Sequence, residues 1–143
     1  MITEVELLNT IHENADMGQD SLSYILPMST DPAFTREIRR QKAEYEEALQ
    51  KSEAMLRERN ITKGKEVSAM SKMMGNAMAK MKNMADPSTS KLAEMVFQGS
   101  NMGITTLTKQ LNDYAGDDKE VRSFAEKQLH REEKNAESIK KYL

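Results

Sequence analysis

Four residues on two long helical segments carry the side chains that metal chemistry would need: Gln41 and Glu44 on one, Gln128 and Glu132 on the other. Carboxylates and imidazoles can bridge two metals because they are anionic or good donors. A dinuclear centre inside a helical bundle takes a Glu from each of two helices and a Glu-x-x-His from each of the other two, all facing inward. In the places where Glu-x-x-His would sit, this chain reads Gln41-Lys42-Ala43-Glu44 and Gln128-Leu129-His130-Arg131, with Glu132 one residue further. Neither is Glu-x-x-His. Glu13 follows Ile11 by two residues, about 200° around a helix, and Glu94 stands in the same relation to Leu92, so both are expected to face solvent. What stays inward is a polar layer of Gln41, Tyr45, Gln128 and Glu132, with Glu44 at its edge. It is faced by the small residues Ala15, Gly18, Ser100 and Gly103. Three readings of this layer stand beside one another. It is a hydrogen-bonded layer that sets helix register, because buried polar groups must find partners. It is a divergent iron or manganese site with Gln41, Glu44, Gln128 and Glu132 as ligands. Or it borders space for a small ligand beside Gly18 and Gly103. The first is preferred. A buried Glu132 without a cation needs neutralisation or a hydrogen bond, and Tyr45 or either Gln can supply the bond.

Other chemistry is thinner. The chain has no Cys, which removes disulfides, thiolate zinc sites, iron–sulfur clusters and cysteine nucleophiles, and its two histidines are a thin set for zinc. His12 flanks the apolar stripe beside Ile11, and His130 sits at helical spacing from Glu126 and Lys134; both are expected at the surface. Gly99-Ser100-Asn101-Met102-Gly103 falls in mid-helix and is no nucleophile elbow.

The elements that must position these residues are helices. Three prolines and six glycines leave little punctuation, and the abundant residue types are good helix formers. Apolar spacing predicts helices over about 3–27, 32–59, 65–85, 89–115 and 118–142. Thr3 with Glu6 three residues later reads as a capping box. Asp31 followed by Pro32 reads as a cap and first-turn proline, and Ser88 or Ser90 caps the fourth segment. The inward stripe of the first helix is Leu8, Ile11, Ala15, Gly18, Leu22 and Ile25; that of the last is Val121, Ala125, Gln128, Glu132, Ala136, Ile139 and Leu143. The charges of Arg36, Glu37, Arg40, Lys42, Glu46, Glu47 and Lys51 are assigned to exposed faces.

The segment 65–85 differs from the rest. It holds Met70, Met73, Met74, Met78, Met81 and Met84, six of the twelve methionines, and is basic. Three readings compete: a crossover helix packed on the bundle, where Met fills irregular gaps; an adaptable surface for a partner protein or a second subunit; or a Cu(I)-binding or membrane-surface helix. The first is preferred.

A faint internal repeat organises the rest. Met17-Gly18 followed by Leu22 matches Met102-Gly103 followed by Leu107, an offset of 85 residues, and Gln41 matches Gln128 at an offset of 87. Two units of helix, short turn and long helix are joined by a long connection that can return along a bundle. In this layout the chain resembles the ferritin-like superfamily, in particular its small bacterial members. The resemblance implies an all-α, ferritin-like four-helix bundle of two antiparallel hairpins in a single domain over 1–143, to which this chain's own spacing adds, unusually, a Met-rich helix in the crossover. It rests on layout and repeat, since the metal motifs are missing.

Charged residues are 31% of the chain with a net charge of −2, so there is no global attraction for nucleic acid. No apolar run approaches the ~18 residues of a membrane span. The start, with Glu4 and Glu6, does not read as a signal or transit peptide, and a cytoplasmic location is expected. The resulting expectation is a non-catalytic structural or interaction protein that forms homo-oligomers. A metal-dependent oxidoreductase or storage protein and a small-ligand carrier are the alternatives.

Overall fold

The computed structural model describes residues 1–60 and 87–143. Among them the chain is all-helical: α1 is Glu4–Ile25, α2 is Pro32–Glu58, α3 is Thr89–Asp113 and α4 is Lys119–Ile139, with single 3-10 turns at Leu26–Met28 and Lys140–Tyr142. The expected Met-rich helix over 65–85 lies outside the described residues. None of the described helices is long and apolar enough to cross a membrane.

Each helix begins where a side chain can take up its free N–H groups. Thr3 accepts from the Glu6 amide while the Glu6 carboxylate accepts from the Thr3 amide, closing the capping box. Asp31 caps α2 ahead of Pro32, Ser88 caps α3, and Asp118 caps α4. The caps obey the repeat: Thr3 and Ser88 differ by 85 residues, Asp31 and Asp118 by 87. Helix α2 ends at Glu58 with Arg59 as its C-cap, and Asn60 just beyond has a φ of 56°, the left-handed conformation that Asn tolerates past a helix C-terminus. Asp31→Ala is expected to cost about 1 kcal/mol in urea unfolding. Asp118→Ala should cost more, because Asp118 also accepts from the Arg59 guanidinium at 2.9 Å.

Contacts at the helix ends set the directions. The Ile2 amide donates to the Asp113 carbonyl at 3.2 Å, so the start of α1 meets the end of α3. Arg59 ties the end of α2 to the start of α4, and Phe34 at the start of α2 packs edge-on against Tyr142 after α4. Helices α1 and α4 therefore run one way, α2 and α3 the other.

The apolar stripes bury two separate clusters. One holds Leu7, Leu8, Ile11, Met55, Leu56, Leu107, Val121 and Phe124. The other, toward the opposite end, holds Leu22, Ile25, Phe34, Ile38, Leu92, Val96 and Ile139. Three expectations are corrected here. His12 is buried, 4% exposed, with Nε2 donating to the Glu53 carboxylate at 3.0 Å. It lies one position from Ile11 at the seam with α2, and Glu53 provides the partner that burial requires. Leu143 is 51% exposed, because α4 gives way to a 3-10 turn after Ile139 and the stripe loses its period. Glu37 is largely covered rather than exposed, held by Arg40 and Gln41. His130 is exposed, as expected.

Candidate functional site: a polar layer and the groove beside it

Between the two apolar clusters the bundle is crossed by polar residues. Gln41, Ser100, Gln128, Glu132 and Asn135 are all buried, and Tyr45 is half-buried with its hydroxyl turned inward. Helical spacing puts them there: Gln41 and Tyr45 share one face of α2, and Gln128, Glu132 and Asn135 share one face of α4.

Glu132 is the centre of the layer. One carboxylate oxygen accepts from Asn14 Nδ2 at 3.3 Å. The other, Oε2, has no hydrogen-bond partner among the described residues, and neither has Ser100 Oγ. The Tyr45 and Ser100 hydroxyls nevertheless face this carboxyl group closely enough to act on its proton affinity. Burial pushes the Glu132 pKa up to about 7; the hydroxyls of Tyr45 and Ser100 and the Asn14 amide oppose that rise, while Glu44 adds to it. Tyr45 is held well above the ordinary phenol range, first by burial and then by the Glu132 charge. It is therefore a phenol at any physiological pH.

Backbone proximity makes this cluster possible. A Cβ on Gly18 would lie 2.7 Å from three carbons of the Tyr45 ring, and one on Gly103 would lie 2.9 Å from Asn14 Oδ1 and 3.1 Å from the Glu132 carboxyl. The repeat explains the pairing. Gly18 and Gly103 correspond at 85 residues, Tyr45 and Glu132 at 87, so each glycine makes room for a side chain on the second helix of its own hairpin.

The four candidate ligands do not share one point. Gln41 Nε2 donates to Glu37 at 3.1 Å and to the Asn135 carbonyl at 3.4 Å. Glu44 lies at the edge of the layer, 3.2 Å from Arg40 and 3.7 Å from Arg131. Gln128 Nε2 is without a partner among the described residues. Only Glu132 brings a carboxylate inside. Among the described residues no group of three or more His, Asp or Glu side chains is placed to hold a metal ion. The donor set does not fit a dinuclear centre: it lacks bridging carboxylates, and two arginines already neutralise Glu44. Sequence reasoning missed Asn14 and Asn135. Their signal was present, since Asn135 is seven residues after Gln128 and Asn14 four before Gly18, each on a face already identified.

Beside the layer, α1 and α3 part to form a groove with a cavity of about 100 Å³, floored by Tyr45 and lined by Gly18, Ser21, Gly99 and Ser100 among others. The space expected beside Gly18 is there; Gly103 is not part of its lining.

Among the described residues, fold and site together give an all-α arrangement of two helical hairpins whose interior is crossed by a polar layer carrying a single buried carboxylate. Comparison with protein-family models, with curated proteins and with solved structures finds no match to this chain.

Proposed function

We propose that the chain is a non-catalytic, ferritin-like structural or interaction protein in which the polar layer holds the hairpins in register. The observation that carries this reading is that, among the described residues, a single carboxylate is buried. Glu132 is engaged by Asn14 and faced by two hydroxyls, while Glu44 is paired with Arg40 and Arg131. A polar layer of this kind penalises helix slippage, because any shift leaves buried groups without partners. The helix directions support the ferritin-like part. Helices α2 and α3 run parallel, as the second and third helices do in that connectivity. Self-association belongs to the proposal, through the Met-rich segment: among the described residues the large apolar side chains that stand exposed are Met1 and Leu143.

Titration of metal-stripped protein with Mn(II), Zn(II) and anaerobic Fe(II), followed by elemental analysis, is expected to show no stoichiometric uptake. Two metals bound per chain, and lost in Glu132→Ala, would replace this reading with that of a divergent metalloprotein.

A further inference from the structure

The groove between α1 and α3 has two kinds of wall. Met17, Leu22 and Ile25 of α1 and Met95, Val96 and Met102 of α3 make its sides apolar. Methionine side chains are flexible and polarizable, which suits an adaptable apolar contact. The polar part comes from Ser21, Ser100 and Tyr45. Ser100 is 1% exposed and Ser21 9%, both line the cavity, and the Oγ of each lacks a hydrogen-bond partner among the described residues. Buried hydroxyls are ordinarily satisfied. The Ser21 hydroxyl is an orphan beside the cavity, and the Ser100 hydroxyl, which faces the Glu132 carboxyl, has acceptor capacity left over.

The charge behind the floor selects what can bond there. The groups that bear on Glu132 are Asn14 of α1, Tyr45 and Glu44 of α2 and Ser100 of α3, and none of them is a cation. A carboxylate only accepts hydrogen bonds. Once ionised it draws the hydroxyl protons of Tyr45 and Ser100 toward itself, and their oxygen lone pairs are left for the groove. A ligand head that donates and carries positive charge fits both demands. Size sets the other limit. An engineered apolar cavity of ~150 Å³ holds benzene, so a cavity of about 100 Å³ takes a short alkyl chain.

We propose that this groove binds a small hydrophobic primary amine, its ammonium group on Ser21, Ser100 and Tyr45 and its apolar body along the methionine walls. Glu132, one hydroxyl layer behind, supplies the counter-charge. The site lies beyond the scaffold role, and a metal-free scaffold that binds no amine would leave that role intact.

Calorimetric titration with n-butylamine, n-butanol and butyrate tests the site, because the three share a chain and differ in the head. The amine is expected to bind about tenfold more tightly than the alcohol, the margin of a charge-assisted hydrogen bond over a neutral one, and butyrate not at all. Two variants separate the site from general binding. A Cβ on Gly99 meets nothing within 4 Å and Gly99 lines the groove, so Gly99→Leu starts from open space and should block binding while the protein stays folded. Glu132→Gln keeps the shape and removes the charge, so amine affinity should fall to that of the alcohol. Amine affinity in the wild type should also rise about tenfold from pH 6 to pH 8, as Glu132 loses its proton while the amine keeps its own. Absence of amine binding, equal affinity for amine and alcohol in the wild type, or binding untouched by Gly99→Leu would each overturn the proposal.

Discussion

Glu132→Gln is expected to make the protein more stable at pH 8 and to change it little near pH 4.5. The carboxyl group titrates near 4.5 in the unfolded chain and at about 7 in the folded one, because folding removes it from water without supplying a cation. The folded state therefore holds the proton more tightly. Above pH 7 the wild type carries an ionised buried carboxylate and the full cost of it. As pH falls from 7 toward 4.5 the folded state takes up its proton first and the cost disappears. The interval from 4.5 to about 7 corresponds to about 3 kcal/mol. Gln keeps an oxygen that can accept from Asn14 and adds an NH2 group able to donate to the Tyr45 or Ser100 hydroxyl, without the charge. Urea midpoints measured from pH 5 to pH 8 should fall with pH in the wild type and stay flat in the variant. Two other carboxylates do not blur this window. Burial alone would raise Glu37, but hydrogen bonds from Arg40 and Gln41 outweigh it and hold it below its ordinary value. The Arg59 hydrogen bond lowers Asp118. The stability these two contribute is present above their unfolded values and is lost only at more acid pH. A wild type whose midpoint rises with pH through 7, or a variant weaker at every pH, would show that the layer stabilises the ionised form.

The same substitution at two groove-lining glycines, Gly18 of α1 and Gly99 of α3, should have opposite effects. At Gly18 a methyl group would stand 2.7 Å from Cε1, Cε2 and Cζ of Tyr45. That ring is rigid and its hydroxyl faces the buried Glu132 carboxyl, so the clash must be relieved by moving α2 or displacing the ring. Overpacking of this kind costs ~1–3 kcal/mol, against a helix-propensity gain of at most ~1 kcal/mol. Gly18→Ala should therefore destabilise by about 1–2 kcal/mol. At Gly99 the added methyl meets nothing within 4 Å, so Gly99→Ala should gain ~0.5–1 kcal/mol from propensity alone. The two variants together, compared by urea midpoint at one pH, read the steric term with the propensity term common to both. Equal shifts would mean that Tyr45 does not rest on Gly18.

Much of this was legible in the chain itself. Helix type, the four described helix starts within a residue or two, the caps at Thr3, Asp31 and Ser88, and the inward placing of Gln41, Tyr45, Gln128 and Glu132, though not of Asn14 and Asn135, follow from local rules: side-chain period, capping chemistry, proline placement. These depend on residues within a turn or two of one another, so spacing in sequence is spacing in space. The repeat was visible for the same reason, and the caps at offsets of 85 and 87 extend it. What local pattern could not decide is which polar groups meet. His12 reads as a flank residue until α2 brings Glu53 against it, and Glu44 reads as a ligand until Arg40 and Arg131 reach it from two helices. The groove is likewise a property of the α1–α3 separation, set by how the Met, Gly and Ser side chains of two helices mesh rather than by either alone. Pairing energies and cavities belong to distances between elements, and those emerge only when all four stripes are buried at once.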